Sequence, residues 1–192
     1  MIQRPMGVVQ PLPLLIAHAG SSPVRQGDAP GAAWVVETGR LRAWVIDAGG
    51  RELWLDVLGP GDVVGEPDGG ISAWTVTALG PSRLRTMPDG TLGPALAARS
   101  ERLTALACQL AWLGVRERVE RRLCDLAARF GRPVAEGLLI PIRLSQDDIA
   151  ALVGTTRESA NRAVGILVTQ GRLSVQRRGR YIVHPHLRAV RW

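Results

Sequence analysis

The chain has 192 residues, of which 46% are hydrophobic and 21% charged, a globular composition that excludes a disordered tail or a fibrous protein. Two cysteines are too few for a disulfide framework or an all-cysteine metal site. Residues 1–98 hold 7 Arg against 9 acidic residues, whereas residues 99–192 hold 17 Arg against 8. This division predicts a scaffold or sensor half followed by a half that binds a polyanion.

No apolar run of the sequence reaches the roughly 18 residues that a membrane span needs. We therefore expect a cytoplasmic protein with no membrane contact. Its cysteines, Cys108 and Cys124, are expected to be reduced and to fill small buried positions.

Short segments rich in Val, Trp, Leu and Ile alternate with Gly and Pro over residues 20–88. This pattern is typical of a small β-barrel or jelly roll. Residues 47–50, Asp-Ala-Gly-Gly, predict a hairpin turn because Gly tolerates positive φ. The predicted strands are Ala33–Glu37, Leu41–Ile46, Glu52–Leu58, Ala73–Leu79 and Arg83–Met87.

A metal-dependent barrel enzyme would need clustered His and carboxylate ligands on its strands. The three histidines do not provide them, because His18 is isolated and His184 and His186 lie near the far end. No Ser–His–Asp set and no glycine-rich phosphate loop opening a helix is evident in the sequence. We predict no enzyme activity, no catalytic residue, no metal and no cofactor.

Helix-forming residues dominate from about Leu92 to Phe130, where Gly and Pro become rare. Ser100 is a candidate helix start. The helix has an apolar stripe, which fits either packing on the chain's own barrel or a seam between two copies of the chain. The stripe consists of Leu103, Leu106, Leu110 and Leu113.

Two further helices joined by a tight turn are predicted over residues 145–171. Ser145 is a candidate N-cap of the first, Gly154 permits positive φ in the turn, and Gly171 ends the second. Helix, short turn and helix are the geometry of a helix-turn-helix. Beyond it, strand-like segments flanking residues 176–180 predict a hairpin wing with an Arg-rich tip.

The second helix presents a polar face near its N-terminus, formed by Arg157, Glu158, Asn161 and Arg162. In a DNA major groove Arg binds guanine, Asn binds adenine and Glu accepts from cytosine, so these four are the candidate base-reading residues. The other interpretation is a solvated face with a Glu158–Arg162 ion pair. Candidate phosphate contacts lie at the helix starts and the wing tip: Gln146, Thr155, Thr156, Ser159, Arg177, Arg178 and Arg180.

The segment from Ser145 to Arg162 resembles the winged helix-turn-helix of the cyclic AMP receptor protein and fumarate–nitrate regulator family, the Crp/Fnr superfamily. Segments similar to its β-roll are Val24–Gly27, Val35–Gly39, Pro60–Asp62, Val64–Glu66 and Ser72–Trp74. The resemblance implies an α+β fold: a jelly-roll-like β-roll similar to a cyclic-nucleotide-binding domain over residues 1–90, a dimerisation helix and hinge over 91–130, and a winged helix-turn-helix over 131–192.

The resemblance also implies a homodimeric transcription regulator that binds double-stranded DNA at palindromic TGTGA-like half-sites and contacts RNA polymerase. The leucine stripe would then be the dimer seam. The alternative is a ligand-binding β-roll protein whose basic tail binds RNA or another polyanion non-specifically.

One departure concerns the cyclic-nucleotide site, where binding members carry Arg-Ser or Arg-Thr and the Arg pairs with the cyclic phosphate. Here the segment 67–72 is shortened and Ile71 occupies the Arg place. An apolar side chain cannot replace that charge-assisted pair, so we predict no tight binding of cyclic AMP. The sequence names no other effector and does not distinguish activator from repressor.

Overall fold

The computed structural model describes residues 13–29, 33–65, 70–86 and 93–185. Parts of the sequence predictions lie outside these ranges, namely residues 1–12, Glu66, Met87, His186 and the rest of the C-terminal end. The described N-terminal part is a β-roll. Its strands are β1 (Leu14–Ala17), β2 (Trp34–Thr38), β3 (Leu41–Ile46), β4 (Glu52–Leu58), β5 (Val63–Val64), β6 (Thr75–Ala78) and β7 (Ser82–Thr86).

The β-roll strands form two antiparallel sheets, in the orders β1-β7-β2-β5 and β4-β3-β6. A buried cluster that includes Val36, Leu41, Val76 and Leu84 fills the space between them. The predicted β3–β4 hairpin is confirmed, since its turn is held by the Asp47 carboxylate, which accepts from the backbone N–H groups of residues 49 and 51. Each of the five predicted strand segments overlaps an observed strand.

The helical segment is divided into α1 (Gly93–Trp112) and α2 (Val115–Phe130). The break falls at Leu113 and Gly114, where the extended backbone of Gly114 starts α2 and its N–H donates to the Glu117 carboxylate at 3.0 Å. Ser100 is not the helix start, because α1 begins at Gly93 and Ser100 lies within it. None of the helices in the described ranges is both long and apolar enough to cross a membrane.

The C-terminal part contains α3 (Gln146–Val153) and α4 (Arg157–Thr169) beside one antiparallel sheet. The strand order is β10-β11-β9-β8, with β8 (Arg132–Val134), β9 (Gly137–Leu139), β10 (Leu173–Gln176) and β11 (Arg180–Val183). No strand was predicted for residues 132–139. Pro133 argues against a strand in the sequence because proline lacks an N–H for the sheet. The strand β8 nevertheless forms, since it lies at the edge of the sheet, where that N–H is not needed.

One hydrophobic cluster joins the two halves of the molecule. Trp54 and Val57 of β4 belong to the same buried cluster as Leu123 of α2, Ile149 of α3 and Leu167 of α4. The helix-turn-helix is therefore packed on the β-roll rather than suspended from a linker. We propose that α2 belongs with the C-terminal domain, although the sequence grouped residues 91–130 as helix and hinge.

Candidate nucleic-acid interface

The orientation of α4 is fixed by caps and by one glycine. Ser145 accepts from the backbone N–H of Asp148 at 3.1 Å, and the Asp148 carboxylate accepts from that of Ser145 at 2.8 Å. Gly154 has φ +64° at the end of α3, and Thr156 then caps α4 by accepting from the N–H of Ser159 at 3.3 Å. The predicted Ser145 cap and the left-handed turn at Gly154 are confirmed, and with the Thr156 cap they give the two helices a defined angle.

The N-terminal half of α4 turns four polar side chains to solvent. Arg157, Glu158, Asn161 and Arg162 are all exposed, whereas the opposite face of the helix is buried. Arg157 lies 3.7 Å from Asp147 in a solvent-exposed pair of little energetic value. Among the described residues no hydrogen bond or ion pair engages the side chains of the other three, so the Glu158–Arg162 pair is not formed.

The candidate phosphate contacts differ in exposure and in whether their polar atoms already form hydrogen bonds within the chain. The Thr156 and Ser159 hydroxyls are 3.2 Å apart and already serve the α4 cap. Gln146 is half-buried and its amide donates to the Tyr181 hydroxyl at 3.3 Å, while burial raises the pKa of Tyr181. Thr155 is half-buried at the start of α4. The candidates on the wing are all exposed: Arg177, Arg178 and Arg180.

The wing tip is tied to the start of α3. The backbone N–H of Leu144 donates to the carbonyl of Gly179 at 2.8 Å. Arg178 and Gly179 have φ +64° and +68°, and Arg178 is the only non-glycine residue with positive φ in the described ranges. A left-handed conformation is unfavourable for an L-residue with a long side chain, so the backbone at Arg178 is strained.

Arg42 connects β3 to the helix-turn-helix, a role that the sequence does not predict. Its guanidinium lies 3.5 Å from Glu52 and 3.6 Å from Asp148 of α3, and it stacks on the rings of Trp44 and Trp54 at 5.2 and 5.0 Å. A cleft of about 1010 Å³ lies beside it, between the β3–β4 hairpin and the start of α4. An Arg alternating with apolar residues in a strand gives no sign of this contact.

The residues that the family resemblance aligns with the cyclic-nucleotide site make contacts within the chain. Ile71 is 68% exposed, and the buried Ser72 hydroxyl donates to the carbonyl of Trp74 at 2.8 Å. The Trp74 ring lies under the Arg99 guanidinium at 4.6 Å, and Arg99 of α1 donates to the carbonyl of Gly65 at 3.4 Å. Residues 66–69 lie outside the described ranges.

The leucine stripe of α1 is divided between two environments. Leu106 is buried within the single chain, with 4% of its surface exposed. Leu103, Leu110 and Leu113 are half-buried. A shallow groove along α1 is lined by residues that include Leu96, Leu103 and Ala107.

The cysteines and potential metal ligands form no further site among the residues described. Both Cys108 and Cys124 are half-buried, and burial raises the pKa of the Cys124 thiol to about 11. No group of three or more His, Cys, Asp or Glu side chains in the described ranges could hold a metal ion.

Comparison with known families separates the chain into the same two parts. The Crp-like helix-turn-helix domain model matches residues 117–190, and the cyclic nucleotide-binding domain model matches residues 16–98. The first match begins within α2, in agreement with the shared core of α2, α3 and α4.

Similar curated proteins are transcription regulators. The chain is 30% identical over 161 residues to the cyclic AMP receptor protein of Thermus thermophilus, covering 76% of this chain and 72% of that protein. It is 27% identical over 169 residues to the CRP-like cAMP-activated global transcriptional regulator of Mycobacterium tuberculosis, covering 79% and 75%.

Solved structures show the same fold. A CRP/FNR-family transcriptional regulator from Thermus thermophilus superposes with a TM-score of 0.77 at 22% identity, covering 89% of this chain and 93% of that one. The c-di-GMP responsive global regulator CLP of Xanthomonas campestris superposes with a TM-score of 0.77 at 23% identity, covering 90% and 94%. The fold and the interface together define a DNA-binding transcription regulator with a cyclic-nucleotide-binding-like domain. The chain belongs to the Crp/Fnr superfamily.

Proposed function

We propose that the protein binds palindromic DNA as a homodimer and reads TGTGA-like half-sites about one helical turn apart through Arg157, Glu158, Asn161 and Arg162. The observation that carries this proposal is the exposed face of α4, where Glu158, Asn161 and Arg162 have no partner among the described residues. Uncommitted polar groups at the start of a capped helix can meet base edges without first breaking internal bonds.

Phosphate contacts would surround this face. The start of α4, with its free N–H groups and helix dipole, suits an anion, and Gln146, Thr155, Thr156 and Ser159 lie at the helix starts. Arg177, Arg178 and Arg180 would reach the backbone from the wing.

The homodimer would form along α1 through the stripe Leu103, Leu106, Leu110 and Leu113. Leu103 borders a shallow groove that is not covered within one chain, and Ala107 would allow two helices to approach closely. Leu106 is already buried within the chain and Leu110 lines the cleft beside Leu53 and Gly154, so Leu103 is the position at which dimerisation is best tested.

The protein is also proposed not to respond to cyclic AMP. Ile71 offers no charge for a phosphate, the Ser72 hydroxyl is engaged, and the Trp74–Arg99 stack holds α1 to the β-roll without a ligand. No other effector is proposed. The division of the chain at residue 90, contact with RNA polymerase and action in the cytoplasm remain expectations from the family resemblance, whereas the expected boundary at residue 130 is replaced by the proposal that α2 belongs with the C-terminal domain.

Selection from a random duplex pool tests the proposed function. Wild-type protein should recover a palindrome, and binding should survive excess random duplex, whereas charge-only binding to RNA or another polyanion should not. The control is the Arg83→Ala variant, which removes an Arg of β7 far along the chain from α4 and should recover the same palindrome.

Calorimetric titration with cyclic AMP tests the second part of the proposal. We expect no saturable heat, and the specific duplex should bind equally well with and without the nucleotide. A nucleotide-dependent gain in affinity for the recovered palindrome would contradict it.

A further inference from the structure

Two carboxylates of the β-roll and two arginines, one from each helix, form a closed ionic group, the Asp–Arg quartet of Asp56, Asp62, Arg102 and Arg129. Arg102 of α1 places Nε 2.6 Å from Asp56 and Nη2 2.8 Å from Asp62. Arg129 of α2 places Nη1 2.8 Å from Asp56 and Nη2 2.8 Å from Asp62. Each arginine therefore binds both carboxylates, and each carboxylate binds both helices.

The carboxylates of the quartet are held in place by their own strand and turn. The Asp56 and Asp62 side chains are only 7% and 13% exposed. Asp56 accepts from the N–H of Val57 at 2.8 Å, and Asp62 accepts from the N–H of Gly59 at 2.8 Å. Such partly buried, multiply bonded pairs are geometrically specific, unlike an exposed ion pair.

Further contacts around the quartet hold α2 against the β-roll and α1 against α2. Phe130 at the end of α2 lies so close to Gly59 that a Cβ there would be 2.5 Å from its ring, and Arg129 stacks on the same ring at 4.7 Å. Arg122 of α2 is buried and donates to the carbonyl of Trp54 at 3.3 Å. Gln109 of α1 donates to Asp125 of α2 at 3.2 Å, which joins the two helices directly.

The covalent connection between α1 and α2 is short and extended, at Leu113 and Gly114. A two-residue break does not by itself fix the angle between two helices, whereas the quartet contacts each helix far from the break, at residues 102 and 129. The quartet and its β-roll turn therefore fix the angle between α1 and α2 by holding both helices at points far from the break.

We propose that the Asp–Arg quartet determines which half-site spacing the protein accepts. This inference rests on the proposed dimer, in which α1 lies at the twofold axis and α2 carries the domain that contains α4. The α1–α2 angle then sets the separation of the two recognition helices, and that separation must match the distance between half-sites on the duplex. Asp56, Asp62, Arg102 and Arg129 are thus positioning residues that select spacing without touching DNA.

The experiment compares binding to duplexes that carry the two recovered half-sites with the natural spacer or with one or two base pairs added or removed. The test variant is Asp62→Asn with Arg129→Gln, which removes one charge of each sign. The matched control is Glu37→Gln with Arg85→Gln, which removes the 2.9 Å pair between β2 and β7 of one sheet. Circular dichroism and sedimentation establish that each variant is folded and dimeric.

Wild-type protein and the control should show the same sharp preference for one spacer. The test variant should lose that preference by roughly three- to tenfold, the size expected for a change in coupling between sites. Its discrimination against a base change within one half-site should remain as in wild type, a readout that general destabilisation would not leave intact. A folded, dimeric test variant with the wild-type spacer profile would overturn the inference.

A milder variant covers the case in which the double variant does not fold. Arg102→Lys keeps the charge of α1 but lacks the planar fork that binds two carboxylates, so it should broaden spacer tolerance while retaining the fold. An unchanged spacer profile in this variant also overturns the inference. Failure of the proposed function is distinguishable, because wild-type protein itself would then recover no palindrome.

Discussion

The N-terminal part of α4 differs from the part of the β-roll that corresponds to the family's cyclic-nucleotide site. The two regions differ in whether their polar side chains are already paired within the chain. On α4, Glu158, Asn161 and Arg162 are exposed and have no partner in the described part of the chain. In the β-roll the Ser72 hydroxyl donates to the carbonyl of Trp74, and the Arg99 guanidinium of α1 donates to the β-roll carbonyl of Gly65. A polar group that already has a partner within the chain must break that hydrogen bond before it can bind a ligand. The face of α4 is therefore better suited to binding a ligand than the region around Ser72.

Sharing the family fold therefore does not mean that both parts of the chain are equally suited to bind a ligand. Both parts match family models, and the β-roll matches along most of its length. On the helix-turn-helix, the exposed side chains of Glu158, Asn161 and Arg162 have no partner within the described ranges. The β-roll is instead joined to the rest of the chain through the Trp74–Arg99 stack, the Asp–Arg quartet and the buried ring of Trp54.

The strongest test of this view is the Trp54→Ala variant, because Trp54 belongs to the core shared by both regions. Loss of a fully buried aromatic ring should lower the free energy of unfolding by about 3–5 kcal/mol. Urea unfolding at fixed protein concentration measures the loss. Trp54→Phe is the control, since the indole Nε1 has no hydrogen-bond partner among the described residues and the phenyl ring keeps most of the packing. Equal stability of the two variants would show that the regions are not one packed unit.

The next effect concerns recognition alone. Arg162→Ala should weaken binding to the selected palindrome by roughly 1–3 kcal/mol and relax the preference at one base position, because a bidentate contact to guanine is lost. Fluorescence anisotropy against single-base variants of the duplex measures both. Unfolding should be unchanged, since the Arg162 side chain is exposed. A uniform loss across all sequences would place Arg162 among the phosphate contacts instead.

A hydroxyl of the β-roll provides the opposite case. Ser72→Ala removes the 2.8 Å bond to the carbonyl of Trp74 and should cost about 1 kcal/mol of stability, the usual net value of one hydrogen bond. DNA affinity should not change, and the variant should respond to cyclic AMP no more than the wild type does. If the variant instead altered nucleotide binding, the hydroxyl would be a ligand contact and the contrast between the two regions would fail.

The sequence predicted the features that depend on local chemistry. The Ser145 cap, the left-handed Gly154 and the polar face of α4 follow from residue type and spacing within one or two helical turns. Strands β8 and β9 and the break at Gly114 were missed, because Pro133 and a single Gly do not reveal tertiary pairing. The quartet could not be predicted, since its arginines and aspartates are 40 to 73 residues apart in the chain.

The smallest effects concern Arg178, where stability and binding should change in opposite directions. Arg178→Gly relieves an L-residue at φ +64°, and after the entropy of glycine in the unfolded chain is subtracted the gain should stay below about 1 kcal/mol. Loss of the proposed phosphate contact should weaken binding to all sequences alike and reduce the slope of log K against log salt by about 0.9 per chain.

Arg178→Ala separates these two consequences, because it removes the charge but keeps a Cβ at the same positive φ. It should show the reduced salt slope without the gain in stability. If both variants kept the wild-type slope, the wing tip would lie away from the DNA backbone. If both variants lost stability, contacts of the Arg178 side chain would be stabilising the left-handed conformation, and the expected gain from relieving backbone strain would be wrong.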